Sequence, residues 1–452
     1  MFDVTTFTPW VLFSDLGIIM GLLLIGKLIR AKVKLIQRLF IPPSMIAGVL
    51  GLAFGPNGLG WLPMSSSISV YPAVLIAMVF GALPLSAPSF KMKEVAGRVG
   101  PMWAYSQFGM LFQWAVMGIF GLLVMKAIWP NLNDAFGVML PTGFYGGHGT
   151  AAAIGTAFDG LGWDEAGSLG MTTATIGVIL AIVGGLVFIK MAAKNKQTSY
   201  ITDFGDLPDE LRSGLLPEEK RDPLGTATTS PISIDSLTFH FALVIVAAFG
   251  GYMFSKGVKM LAPELELPVF SCAFVVGLIL KIIFNKTQVS KYIDGKTASS
   301  ISSFSTDLLV AFGIASIKLS VVVKYAVPLA VLLAVGIVVT VFTVFYFGRH
   351  LFRKDWFEKS IFAWGWWTGT MAMGIALLRI VDPKMASKAM DDYALAYLPC
   401  APVEIILISL VPVMFANGKG LGMMLICLAI SVFLIVLSKY LKWWIPKEQL
   451  KK

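Results

Sequence analysis

Two glycine-rich segments, about 220 residues apart, hold the residues best suited to binding chemistry. The first reads Gly143-Phe-Tyr-Gly-Gly-His-Gly-Thr-Ala-Ala-Ala-Ile-Gly155, and the second Ala363-Trp-Gly-Trp-Trp-Thr-Gly-Thr-Met-Ala-Met-Gly-Ile375. Placing Gly149-Thr150 on Gly369-Thr370 also superimposes Ala152 on Ala372. Glycine lets a backbone turn sharply and lets a ligand approach it closely. A helix that begins at such a break offers unpaired N–H groups and a partial positive charge, which suit a carboxylate. A helix that ends there offers carbonyl oxygens, which suit a hard cation such as sodium. Gly147, His148, Gly149 and Thr150, with Thr368, Gly369 and Thr370, are therefore candidates for binding a solute.

Individual side chains extend the set. His148 suits hydrogen bonding to a carboxylate, a proton cycle, or simple bracing of the turn. Arg379 fits a bidentate clamp on a carboxylate, or a pair with Asp382. Thr172, Thr173 and Thr175 supply hydroxyls for an ion or for their own helix backbone. Ionisable groups inside apolar segments face a cavity or a partner, because exposing them to lipid is costly. Glu404 is the only acid in the stretch from about Ala394 to Phe415. Asp307 sits among Ser303, Ser305 and Thr306, a hydroxyl set that suits sodium, or else acts as a charge near a helix start. The ion-binding candidates are thus Thr172, Thr173, Ser303, Thr306, Asp307 and Glu404. Asp15 lies in the first apolar segment, and Trp364, Trp366 and Trp367 line either a cavity or the membrane interface.

The elements that position these residues are membrane helices. The chain has 452 residues, 57% of them hydrophobic and 14% charged, with a mean hydropathy of +0.79. A soluble protein carries about 25% charged residues. Apolar runs near twenty residues recur along the chain, whereas a membrane barrel alternates in runs of about ten. Basic residues fall in alternate loops, which puts the N-terminus outside and the C-terminus in the cytoplasm. That distribution assigns the net charge of +10 to topology, with no nucleic-acid partner. The expected class is an all-α polytopic membrane protein. Residues 1–190 form one half, with a re-entrant hairpin near 135–158. A cytoplasmic linker follows at 191–236, and a second half at 237–416 carries a hairpin near 360–380. Residues 417–452 add one helix and a tail. Five crossings per half is an odd number, so the halves insert oppositely, as an inverted-topology 5+5 repeat. The extra helix makes about eleven crossings. Segment two is placed at about Ile41 to Leu62, and the segment carrying Asp307 at Ser303 to Leu319. Ile41-Pro42 with Gly51-Leu52 matches Leu267-Pro268 with Gly277-Leu278, and Phe80-Gly81 matches Phe312-Gly313.

Cys272, Cys400 and Cys427 lie in apolar stretches with no metal-type spacing. No Walker sequence, zinc motif or nucleophile elbow appears, so no cofactor and no enzymatic chemistry are expected. Paired broken segments point to a secondary carrier rather than a channel, although re-entrant loops also build selectivity filters.

Gly146-Gly-His-Gly-Thr150 after four segments resembles the sodium:glutamate symporter family. The likeness extends to Met171-Thr-Thr-Ala-Thr-Ile-Gly177, the linker, and Glu404 after the second break, over roughly Trp10 to Phe415. The resemblance implies sodium-driven uptake of an acidic amino acid, two re-entrant loops meeting at the site, and a homodimer whose transport unit moves against a scaffold. It also implies residence in a bacterial inner membrane. The second segment departs from the family, with Trp364-Gly-Trp-Trp-Thr-Gly-Thr370 where a Gly-His-Cys-Gly beginning is typical, and the last helix is additional. A proton- or sodium-coupled carrier of di- or tricarboxylates is the alternative expectation.

Overall fold

The computed structural model describes residues 7–38, 41–86, 99–200, 215–261, 267–287, 289–382 and 385–451. Lys91, Lys93 and Arg98, on which part of the topology reading rests, lie outside the described residues, as does linker residue Pro208. The described residues are helical, without strands. In chain order the helices are α1 (Pro9–Lys32), α2 (Lys34–Arg38), α3 (Pro43–Phe54), α4 (Tyr71–Ser86) and α5 (Gly100–Phe120). They continue with α6 (Met139–Phe144), α7 (Gly147–Gly160), α8 (Ala166–Lys194), α9 (Ser236–Leu261), α10 (Val269–Lys286) and α11 (Gly295–Ala315). The chain then forms α12 (Leu319–Lys324), α13 (Ala326–Val341), α14 (Trp356–Thr368), α15 (Met371–Val381), α16 (Ala389–Ala416) and α17 (Gly420–Tyr440).

Ten helical stretches among the described residues are long and apolar enough to cross a membrane. Segment two is the exception to the eleven expected. Its helix, α3, has only 12 residues. Gly55, Pro56, Gly58 and Gly60 unwind the chain beyond it, and Gly60 takes a φ of +69°. The segment carrying Asp307 also differs from expectation, since it begins at Gly295 rather than Ser303. Asp294 caps it by accepting from the Thr297 backbone N–H at 2.8 Å. Asp307 is therefore the thirteenth of 21 residues, well inside the helix, and no N-terminal charge role remains for it.

Matching local features recur in the two halves. Pro42 and Pro268 are the extended residues that open α3 and α10. Gly51 of α3 meets Ala315 of α11, and Gly277 of α10 meets the Gly81 carbonyl of α4. α5 and α13 each widen into a looser turn, at Gly121–Met125 and Phe342–Tyr346, ahead of a broken pair. The turn in α13 leaves the Val344 carbonyl to accept from Tyr105 of α5 at 2.8 Å.

Packing divides the described helices into two groups. One large apolar core draws its residues mainly from α5 to α8 and α13 to α17. Two smaller cores join α1, α3, α4 and α11, and α4, α9, α10 and α11. The groups touch along a broad seam: Met45, Ile76, Phe80, Phe270, Leu309 and Ile314 of the second group are buried in the large core, and Met171 of α8 packs on Gly313 of α11.

Asp15 is completely buried in α1. It accepts from the Ser65 backbone N–H at 2.8 Å, the Ser65 hydroxyl at 2.5 Å and the Tyr71 hydroxyl at 2.7 Å. It pins the unwound chain after α3 to the first helix, and its acceptors are filled by protein donors rather than an ion. Asp15→Ala leaves three buried donors without their partner, at a cost of about 3 kcal/mol or more, against about 1 kcal/mol for Tyr71→Phe. Thermal unfolding of the detergent-purified variants is expected to rank them in that order, and equal midpoints would contradict the assignment.

Candidate functional site

The two glycine-rich segments are breaks between short helices. The first break falls at Tyr145-Gly146, between α6 and α7. Gly147 adopts φ +61°, which only glycine enters without strain. A Cβ on Gly146 would lie 1.7 Å from the Thr150 hydroxyl oxygen, so the side chain of Thr150 folds over bare backbone. The second break falls at Gly369, between α14 and α15. Here the chain folds back on itself, with Gly365 against the backbone of Gly374. Thr370 is the N-cap of α15, accepting from the Met373 N–H at 3.4 Å.

The two breaks meet. A Cβ built on Gly147 would stand 2.9 Å from the Gly369 carbonyl oxygen and 3.5 Å from the Thr370 methyl. The N-terminal ends of α7 and α15 and the C-terminal end of α14 therefore come together. Thr150 and Thr370 correspond in sequence but differ in role. Thr370 caps its helix, whereas Thr150 lies one turn inside α7 and has no side-chain hydrogen bond among the described residues.

α8 holds both breaks in place, and its sequence shows why. Thr173 donates to the Met139 carbonyl at 2.8 Å, and Gly143 of α6 fits against the Thr173–Ala174 backbone. One turn on, Gly177 lies against the Thr368 carbonyl, where a Cβ would be 2.1 Å away. The Ala181 carbonyl accepts from the Trp364 indole at 2.9 Å, and Gly184 and Gly185 admit Trp364 and Leu377. This small-residue face is the physical content of Thr172-Thr-Ala-Thr-Ile-Gly177.

The sequence candidates separate into three groups. Gly147, His148, Gly149, Thr150, Thr368, Gly369 and Thr370 assemble at the meeting point. His148 is buried and its Nε2 lies 3.1 Å from the Thr175 hydroxyl, so it also braces the first break onto α8. Thr172, Thr175 and Thr368 each donate back to a helix carbonyl, at 2.6 to 2.8 Å, whereas the single Thr173 proton is shared between the Met139 and Gly170 carbonyls. Such hydroxyls keep lone pairs for a cation. The remaining candidates lie elsewhere. Ser303 and Asp307 are exposed on α11, Thr306 is half-buried, and Asp307 neighbours Ser44 of α3. Arg379 is half-buried nine residues beyond Thr370, about 14 Å along α15 by helical rise. Asp382 caps the next loop by accepting from the Ala386 and Ser387 N–H groups.

Glu404 shares α16 with Asp391 and Asp392, because this helix begins at Ala389, earlier than the sequence suggests. It remains the one acid deep in that helix. Tyr397 donates to Glu404 Oε2 at 2.8 Å. Trp364, Trp366 and Trp367 are buried, which excludes the interfacial reading. Trp366 packs on Tyr145 with centroids 4.7 Å apart, on Tyr393 at 4.5 Å and on Tyr397 at 5.9 Å. Trp367 fills the notch at Gly109 and stands 4.7 Å from Tyr105. Sequence reasoning overlooked the tyrosines of this cluster. Tyr393, Tyr397, Cys400 and Glu404 recur at helical spacing, one polar and aromatic stripe along a membrane helix, and that periodicity was the available signal.

The fold and the broken pairs define an integral membrane protein of the secondary-transporter class. A family model described as sodium/glutamate symporter matches residues 12–371, and the chain belongs to that family. The family is one of transporters rather than enzymes. No curated protein matches the chain.

Gly177→Ala places a methyl into the Thr368 carbonyl, whereas Gly17→Ala meets nothing within 4 Å. Gly177→Ala is expected to lose about 1–3 kcal/mol of stability. Gly17→Ala is expected to be neutral or slightly stabilising. Chemical denaturation of the two purified variants checks this, and equal stabilities would contradict the close packing.

Proposed function

We propose that this protein is a sodium-coupled secondary active symporter that imports a small anionic solute, glutamate or a related acidic amino acid, by alternating access. The reading rests on family membership and on one observation above all, the approach of Gly147 to Gly369 and Thr370. The N-termini of α7 and α15 supply N–H groups and partial positive charge to the solute carboxylates. Thr150 and Thr370 add hydroxyls. The C-terminal carbonyls of α14, with hydroxyls of α8 such as Thr172, supply oxygens for sodium.

The two broken pairs act as re-entrant hairpins from opposite membrane faces, in an inverted repeat whose matching features were described above. α5 to α8 with α13 to α17 form the transport unit, and α1, α3, α4 and α9 to α11 form the scaffold of a homodimer. Each body keeps a core mainly of its own helices, and sliding one past the other would repack the seam at Met45, Ile76, Phe80, Phe270, Leu309 and Ile314. The N-terminus faces outward and the C-terminus the cytoplasm of a bacterial inner membrane. Ser303, Thr306 and Asp307 then line the scaffold surface past which the site travels, and Arg379 stabilises the second hairpin away from the solute.

Reconstituted protein is expected to accumulate labelled glutamate under an inward sodium gradient and to lose accumulation when choline replaces sodium. Gly147→Ala forces an L-residue into the left-handed region, a strain of about 1–2 kcal/mol that lowers the apparent solute affinity about tenfold. Accumulation driven by a proton gradient alone, or an ohmic current, would overturn the reading.

A further inference from the structure

The cluster beside the first break has a chemistry of its own. Glu404 is half-buried, and the Tyr397 hydroxyl fills only one of its acceptor positions. A carboxylate offers about four such positions. Among the described residues no lysine or arginine pairs with it. A carboxylate within a membrane protein and without a fixed cation is met by a proton or by a mobile cation.

Its surroundings indicate which cation. Tyr145, Tyr393 and Cys400 lie within electrostatic reach of the carboxylate. The wall is aromatic, with Trp366 packed edge-to-face against Tyr145, Tyr393 and Tyr397, the last perpendicular to it at 90°. Sodium wants several hard oxygens at once, and this wall is mostly ring carbon, with the Tyr397 hydroxyl already bonded to the carboxylate. An organic ammonium instead gains from a carboxylate together with aromatic faces. Tyr145 immediately precedes Gly146 and Gly147, so the aromatic wall adjoins the helix ends proposed for the carboxylate. In an amino acid the ammonium and α-carboxylate share one carbon, which matches two adjoining subsites of opposite character. The Tyr393 hydroxyl and Trp367 indole N–H, both in this cluster, are buried without a hydrogen-bond partner among the described residues.

We propose that Glu404, Trp366 and Tyr397 form the subsite for the ammonium group of a zwitterionic solute, and that this subsite selects an amino acid over a dicarboxylate of equal length. The proposal rests on the symporter reading above and assigns Glu404 to the solute rather than to sodium.

Competition in proteoliposomes tests it, with labelled glutamate taken up under a sodium gradient and unlabelled glutamate or glutarate as competitor. Glutarate keeps both carboxylates and lacks only the amino group. Wild type is expected to bind glutarate about 100-fold more weakly than glutamate, the size of one lost charge-assisted contact. In Glu404→Gln the ratio is expected to fall below about tenfold, through weaker glutamate binding. The sodium concentration for half-maximal uptake should stay unchanged. Tyr397→Phe keeps the ring and is expected to give an intermediate ratio, which covers the case of Glu404→Gln failing to fold. Equal competition by glutarate in wild type would sink the subsite while leaving the symporter reading intact. A Glu404→Gln variant with altered sodium dependence and an unchanged ratio would do the same, since Glu404 would then hold sodium. Absence of any sodium-driven uptake would remove both readings.

Discussion

Backbone polar groups away from water must find partners, and that constraint governs this structure from its centre outward. Each glycine-rich break strands N–H groups on one side and carbonyls on the other. α8 is what makes two such breaks tolerable. Its Thr173 and Ala181 hydrogen-bond to the two broken pairs, and Gly177 approaches the Thr368 carbonyl as closely as a backbone can. Any larger residue at Gly177 would push the second break off its support. The ends that α8 leaves unfilled are those that face each other across Gly147 and Gly369. The candidate binding site is thus the remainder of a hydrogen-bond problem that the rest of the core has solved.

Rigidity is distributed accordingly. Around the breaks, indole and phenol rings interlock over α5, α14 and α16, with Trp367 seated in the notch at Gly109 and Tyr105 tied to the α13 backbone. Interlocked aromatics resist small displacements, because each ring has few rotamers and many neighbours. The helices α1, α3, α4 and α9 to α11 build two smaller cores and lend Met45, Phe80 and Phe270 to the large one. Asp15 illustrates the difference between the groups. It is an acid within a membrane helix like Glu404, yet its three donors all come from its own group of helices. An acid with filled acceptors fastens chain to chain, whereas an acid with open acceptors is available to a ligand.

Much of this was legible in the sequence, for identifiable reasons. The breaks announced themselves because six glycines and Pro141 cannot continue an apolar helix over residues 135–158. Long apolar helices were legible from run length. Helix starts within hydroxyl-rich sequence were not. Ser299, Ser303 and Thr306 donate to carbonyls within α11 or accept there as helix members, so a stretch that reads as polar loop is helix from Gly295 onward. Segment two misled in the opposite sense, since its apolar composition continues past Phe54 while Gly55 and Pro56 stop the helix. The candidate site was legible where one backbone break carries it, as at Gly146–Thr150. It was hidden where partners come from separate helices, because nothing in local spacing says that Trp366 of α14, Tyr145 after α6 and Tyr397 of α16 will share one wall.

The same comparison bears on why both features occur together. Two helix N-termini alone recognise negative charge without regard to what else the solute carries. Any dicarboxylate of suitable length satisfies them equally. Discrimination requires a group that is left unpaired when the wrong solute binds, since an unfilled buried partner penalises the impostor more than an added contact rewards the correct ligand. A single carboxylate with one phenol donor, set among ring faces that cannot hydrate it, is such a group. It is carried by α16 rather than by either broken pair. In the proposed arrangement the helix ends assigned to charge and the carboxylate assigned to identity therefore sit on different helices, and each can vary without dismantling the other.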